Sequence, residues 1–177
     1  MLKVLTVPNI ILISPNKPII NFDRKLIKFV NEMNKTLVAQ SDPQGVGLAA
    51  PQVGYNLQLF IIKPTPESKI EVFINPKIIK KVRRSTLKNQ TSKKLKTPLE
   101  GCLSIPRIWG SVKRANKLLI EYQTSSGEKK QVWFTGFKAV IIQHEFDHLN
   151  GLLFTEQAVK QKSPLYEEKN GKLERMM

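Results

Sequence analysis

Between Gly136 and Leu149 the chain sets itself a burial problem. Phe137, Val140, Ile141, Ile142, Phe146 and Leu149 spread apolar side chains around most of a helical circumference, so a helix here must be buried. Thr135 is placed to cap its start, and Asn150-Gly151 to end it, with the glycine in the left-handed conformation. Yet the same span carries His144, Glu145, Asp147 and His148. Burying those groups without partners costs several kcal/mol. His144 and His148 stand at i and i+4, on one face, where both imidazoles can close on a single ion. A bound metal answers the burial problem.

The 177 residues contain two histidines and one cysteine. All three fall in two short motifs, Glu100-Gly101-Cys102-Leu103-Ser104 and Gln143-His144-Glu145-Phe146-Asp147-His148-Leu149. Cys102 can therefore supply a third ligand. Three protein ligands leave a fourth position for water, the mark of a catalytic rather than a closed structural site. Glu145, between the histidines, is placed to move protons for that water. Taken singly, each feature has a bland reading: a chance His-Glu-x-x-His on a surface helix, or a lone cysteine filling the core. In combination they do not, because the chain spends no His or Cys elsewhere.

The remaining pattern predicts an α+β fold in one domain spanning residues 1–177, with antiparallel strands wrapped around the central metal-binding helix. Phe22, Leu26, Phe29, Val30, Met33 and Leu37 repeat with the α-helical turn over Asn21 to Val38, with Asn21 or Asp23 as the cap. Strand signals follow at Leu57 to Ile62, Ile70 to Asn75, Lys117 to Gln123 and Lys129 to Phe134. Ser125-Ser126-Gly127 joins the last two as a hairpin. Asn75-Pro76 ends the second run, and a basic extended segment, 77–97, leads on to the Cys102 motif; Ile78, Ile79 and Val82 can still form a strand within it. The tail, 156–177, is interrupted by Ser163-Pro164 and Asn170-Gly171, which predicts a short helix and a mobile end.

Gly45-Val46-Gly47-Leu48-Ala49-Ala50-Pro51-Gln52-Val53-Gly54, together with the Cys102 and His144 motifs, resembles the three signature motifs of peptide deformylases in the same chain order. Weaker resemblance runs from Val7-Pro8 to Leu152-Leu153-Phe154. The resemblance implies the same fold and the removal of the N-formyl group from the initiator methionine of new polypeptides, with release of formate. It implies Cys102, His144 and His148 around one divalent ion, natively Fe2+, with Zn2+, Ni2+ or Co2+ able to replace it. Glu145 would take a proton from water and deliver it to the leaving amine. The Gln52 side-chain amide and the Leu103 backbone N–H would meet the oxyanion, although Gln52 can also be a structural amide bridging two loops. Val46, Phe137, Val140 and Ile141 match positions lining the methionine pocket. Gly47 matches the position whose backbone pairs with the substrate as an added strand, and Gly101 completes the substrate-binding set. Some bacterial members carry an arginine where this chain has Trp109, which leaves the substrate contacts there open. Glu100 and Asp147 can orient site groups, with Arg114 pairing to Glu100, or form a plain ion pair.

Lysine and arginine number 29 against 14 acidic residues, a formal charge of +15. That balance suits polyanionic surroundings such as the ribosome. Nine basic residues and no acidic one lie between Lys77 and Lys96, either a ribosome-binding surface or a solvated loop. No apolar run reaches the ~18–20 residues of a membrane helix, and no signal or transit peptide is evident, so the expectation is a cytoplasmic monomer, an organelle matrix remaining open. Two other functions compete. A His-Glu-x-x-His metallopeptidase draws its third ligand from a downstream His or Glu, and there is no His beyond His148. A basic ribosome- or nucleic-acid-binding module with a structural metal explains the charge but not Glu145 and Gln52 beside an open coordination position.

Overall fold

The structure, a computed structural model, describes residues 1–42, 44–82 and 98–176. The described strands form two antiparallel sheets. The first contains β1 (Gly47–Ala49), β2 (Leu59–Ile62), β3 (Glu71–Val82), β6 (Lys117–Gln123) and β7 (Lys129–Thr135), in that spatial order. The second contains β4 (Leu99–Cys102), β5 (Ile105–Ser111), β8 (Leu165–Lys169) and β9 (Lys172–Arg175). Among the described residues three α-helices accompany them: α1 (Arg24–Val38), α2 (Gly136–Leu149) and α3 (Phe154–Lys160).

The run Leu59-Phe60-Ile61-Ile62 shows how the first sheet is buried on both faces. Successive strand residues point to opposite sides. Leu59 and Ile61 join Leu26, Val30, Met33 and Leu37 of α1 in one core cluster. Phe60 and Ile62 join Ala139, Ile141, Ile142 and Leu149 of α2 in another. A continuous apolar run is what such a strand needs. A third cluster, with Leu12, Cys102, Ile105, Leu153 and Phe154, fills the space beneath the second sheet.

Of the two candidate caps for α1, Asp23 takes the role: its carboxylate accepts the N–H groups of Lys25 and Leu26 at 2.9 and 3.0 Å. The Ser125 to Gly127 turn forms as expected, with Gly127 at φ +84° and β6 paired to β7 along its whole length. Thr135 stands at the N-cap position of α2, but its side chain makes no capping bond. Phe137 is 57% exposed, so burial of the helix begins at Ala139.

Asn75-Pro76 does not end its strand. β3 runs through the pair to Val82 with a register shift between Ile74 and Lys77. Asn75 enters the left-handed region at φ +48°, and its side chain bonds Ile19 N–H at 2.8 Å, Ile19 C=O at 2.7 Å and Gln123 Oε1 at 2.8 Å. The bulge thus takes up the proline, which has no N–H for the ladder. Of the 77–97 segment, residues 77–82 belong to β3 with Lys77, Lys80 and Lys81 exposed, and 83–97 lie outside the described residues.

The tail also differs from expectation. Beyond α3, residues Leu165–Lys169 pair with β5 and turn back through Asn170-Gly171 into β9. Those two residues, at φ +50° and +73°, make a hairpin turn where the sequence suggested only an interruption.

Gly151 ends α2 at φ +68°, and a Cβ there would lie 2.5 Å from the Ile13 carbonyl oxygen. Gly151→Ala is expected to destabilise the protein by about 1–3 kcal/mol or more, read as a lower urea midpoint.

Candidate metal centre and substrate cavity

Two elements supply the donors: the thiol of Cys102 comes from the end of β4, and both imidazoles come from α2. Cys102 Sγ lies 3.2 Å from His148 Nε2, and one donor atom from each of Cys102, His144 and His148 lies within 4.8 Å of the others. A tetrahedral zinc site with bonds of ~2.0–2.3 Å needs its donors roughly 3.5 Å apart, so the cluster matches one ion. His144 Nδ1 is held by Glu100 Oε2 at 3.1 Å, which leaves Nε2 for the cluster. An outer partner of this kind fixes ring orientation and raises ligand basicity. Burial opposes ionisation of the Cys102 thiol, yet His148 and His144 hold it well below the usual thiol range. Burial likewise disfavours a charged His144, but Cys102 and Glu100 raise it well above the usual histidine range. Once an incoming ion displaces the imidazolium proton, a thiolate with two imidazoles is a soft and borderline donor set suited to Zn2+ or Fe2+.

Arg114 organises the charges behind the ligands. Its guanidinium makes a bidentate contact to Glu100, with Nε and Nη2 each 2.9 Å from a carboxylate oxygen, and Nη1 reaches Asp147. All three side chains are at least 88% buried. The choice left by the sequence is thereby narrowed: the Glu100 pair is buried and touches a ligand directly. Gln143 adds a connection not anticipated from sequence. Its amide donates to the carbonyls of Ala115 and Ala139 at 2.8 Å and accepts Ala115 N–H at 3.0 Å, fastening α2 to the link between β5 and β6.

A cavity of about 230 Å³ opens beside the cluster. Cys102, His144, Glu145, Gln52 and Leu103 all border it. So do the sequence-predicted substrate residues Val46, Gly47, Gly101, Phe137, Val140 and Ile141. His148 does not, and lies behind the other ligands. Glu145 Oε2 is buried without a hydrogen-bond partner among the described residues. Burial pushes its carboxyl up to about 7, against the opposing pull of His144 and His148. A Cβ on Gly47 would collide with this carboxylate, so the glycine makes room for Glu145 as well as leaving its own backbone open.

Gln52 lies in the short 3₁₀ turn Ala50–Val53 after β1. Its Oε1 accepts Ala49 N–H at 2.8 Å, which turns Nε2 towards Ser104 Oγ at 3.2 Å and Cys102 Sγ at 3.5 Å. Leu103 and Ser104 form the tight turn between β4 and β5. Ser104 had no assigned role in the sequence reading; its place two residues after Cys102 was the available signal.

The sequence model of the polypeptide deformylase family matches residues 1–164. Peptide deformylase 1 from Bacillus cereus is 37% identical over 161 residues, covering 90% of this chain and 94% of its own length. Among solved structures, a peptide deformylase from Legionella pneumophila superposes with TM-score 0.77 at 33% identity, covering 89% of this chain and 85% of that one. One from Synechococcus elongatus, in complex with actinonin, gives 0.76 at 34% identity, covering 89% and 78%.

Removing Arg114 would leave Glu100 and Asp147 buried without their counter-charge. Arg114→Ala is expected to destabilise by about 3–5 kcal/mol in urea denaturation, far more than loss of an exposed pair.

Proposed function

The chain belongs to the polypeptide deformylase family, and we propose that it hydrolyses the formamide of N-formyl-methionyl peptides, releasing formate, with Glu145 carrying the proton. The observation behind this role is the Glu145 carboxylate on the cavity wall next to the three-donor cluster, its Oε2 buried without a hydrogen-bond partner among the described residues. Cys102, His144 and His148 would hold a divalent ion, which would supply Lewis acidity for the formyl oxygen and for water. Glu145, raised towards neutrality by burial, accepts a proton from the attacking water and returns it to the amine nitrogen as the C–N bond breaks. The Gln52 amide, fixed by Ala49, and the Leu103 N–H at the turn after Cys102 donate to the oxyanion. Glu100 and Arg114 keep His144 in register.

The methionine side chain occupies the apolar wall of Val46, Phe137, Val140 and Ile141. The exposed phenyl of Phe137 at the cavity supports this assignment, since burial against a ligand would stabilise it. The substrate backbone runs as an added strand beside Gly47, because β1 pairs only with β2 among the described strands and leaves one edge open. Gly101 borders the same channel.

Ferrous iron is the native ion in this proposal, with zinc, nickel or cobalt as replacements, because thiolate and imidazole donors suit both Fe2+ and Zn2+. The protein acts as a cytoplasmic monomer, its 177 residues one catalytic domain, and associates with the ribosome through the basic run from Lys77. Among the described residues no helix is long and apolar enough to cross a membrane.

Formate release from formyl-Met-Ala-Ser, beside cleavage of the same peptide without its formyl group, tests the reaction. Formate is expected and peptide-bond cleavage is not. Glu145→Gln is expected to lower the rate by at least ~10²–10⁴ while keeping its metal. A variant as fast as the parent would remove Glu145 from its role.

A further inference from the structure

The first sheet is covered unequally. On the side facing α2, Phe73, Ile78, Leu118, Ile120 and Phe134 of β3, β6 and β7 pack into the core cluster of that helix. On the other side α1 packs over β1, β2 and the start of β3, and its cluster contains no residue of β6 or β7. Strand alternation puts Lys117, Leu119 and Glu121 of β6 on this second side, with their direct partners Thr135, Trp133 and Gln131 of β7. The register with β3 adds Lys80 opposite Leu119 and Lys77 opposite Glu121. Among the described residues, none of Lys77, Lys80 and Lys117 forms an ion pair.

Trp133 is the feature of this face that calls for an occupant. The residue is 42% exposed, and Lys117 Nζ lies 4.6 Å from the centroid of its ring. An exposed cation–π contact is weaker than the stacking of a base on an aromatic ring, so an incoming base displaces the ammonium, which then takes the flanking negative charge. Lys80 stands two strands from Trp133, about 10 Å away at the usual strand spacing, where its flexible stem reaches a second phosphate. The surface is separate from the metal-bordering cavity, which no residue of β6 or β7 lines.

We infer that the uncovered face of β3, β6 and β7 binds single-stranded RNA, with one base stacked on Trp133 and the flanking phosphates held by Lys117 and Lys80. An aromatic ring between two cations matches unpaired bases joined by phosphates, whereas a duplex keeps its base faces stacked on one another and offers the indole nothing. An acidic peptide pairs the lysines but brings no flat ring in register with them. Gln131 and Thr135, exposed on either side of Trp133 on the same strand, present an amide and a hydroxyl to the ribose 2′-hydroxyl, which DNA lacks. The formal charge of +15 draws such a polyanion to the surface.

Fluorescence anisotropy of a labelled RNA of about eight nucleotides, titrated with the metal-loaded full chain across a salt series, tests the inference. Duplex RNA, DNA of the same sequence and poly-glutamate serve as competitors. Trp133→Leu, which keeps apolar cover and removes the ring, is expected to weaken binding about tenfold at every salt concentration, and Trp133→Phe to recover part of the loss. Combining Lys77→Ser, Lys80→Ser and Lys117→Ser is expected to flatten the slope of log affinity against log salt by about 2. Formate release should match the parent in every variant, since none of these residues borders the cavity. Should Trp133→Leu fail to fold, the lysine variant and the preference for single strands over duplex carry the test. Unchanged affinity in Trp133→Leu, or duplex that competes as well as single-stranded RNA, overturns the stacking face. Equal competition by DNA overturns RNA as the partner, and equal competition by poly-glutamate assigns the face to acidic peptides instead. A parent that binds no RNA overturns the inference while leaving deformylation intact.

Discussion

The bidentate contact between Arg114 and Glu100 is the interaction on which the site depends. Arg114 lies in the short link that leaves the second sheet at Ser111 and enters the first at Lys117. From there it reaches Glu100 on β4 and Asp147 on α2, joining both sheets to the helix between them. Glu100 then passes the constraint to His144. An ion pair this deeply buried adds little net stability over an apolar replacement, since desolvation opposes its attraction. Its value here is positional: three acidic or basic groups buried near a ligand each acquire a partner.

The same convergence explains why the donors come from separate elements. β1 and β4 each pair with a single neighbour among the described strands, so the glycine-rich motif and the Cys102 motif both border the cavity from strand edges. The α2 helix brings His144, Glu145 and His148 to them, with Gln143 locking its angle to Ala115. Glycine at 47 is then required for space beside Glu145, where a Cβ would collide with the carboxylate.

Much of this was legible in the chain because the relevant signals are local. Helical spacing fixed which face His144 and His148 share, and the all-round apolar character of α2 implied its burial. The Gly127 hairpin and the Gly151 stop followed from turn chemistry. The failures were non-local. Asn75-Pro76 looked like a strand end because the side-chain bonds that support its bulge go to Ile19 and Gln123, 56 and 48 residues away. The strands of the tail went unread because β8 is too polar to announce itself, and it forms by pairing with β5. Gln143 and Ser104 sat inside recognised motifs, but their contacts to Ala115 and Gln52 exist only after folding.

The central claim is that one ion is shared by Cys102, His144 and His148. X-ray absorption at the metal edge, on protein loaded anaerobically and measured for metal per chain, tests it most directly. One ion per chain is expected, with one sulfur and two imidazole nitrogens in its coordination shell. A shell without sulfur, or a stoichiometry unchanged by Cys102→Ala, would contradict it.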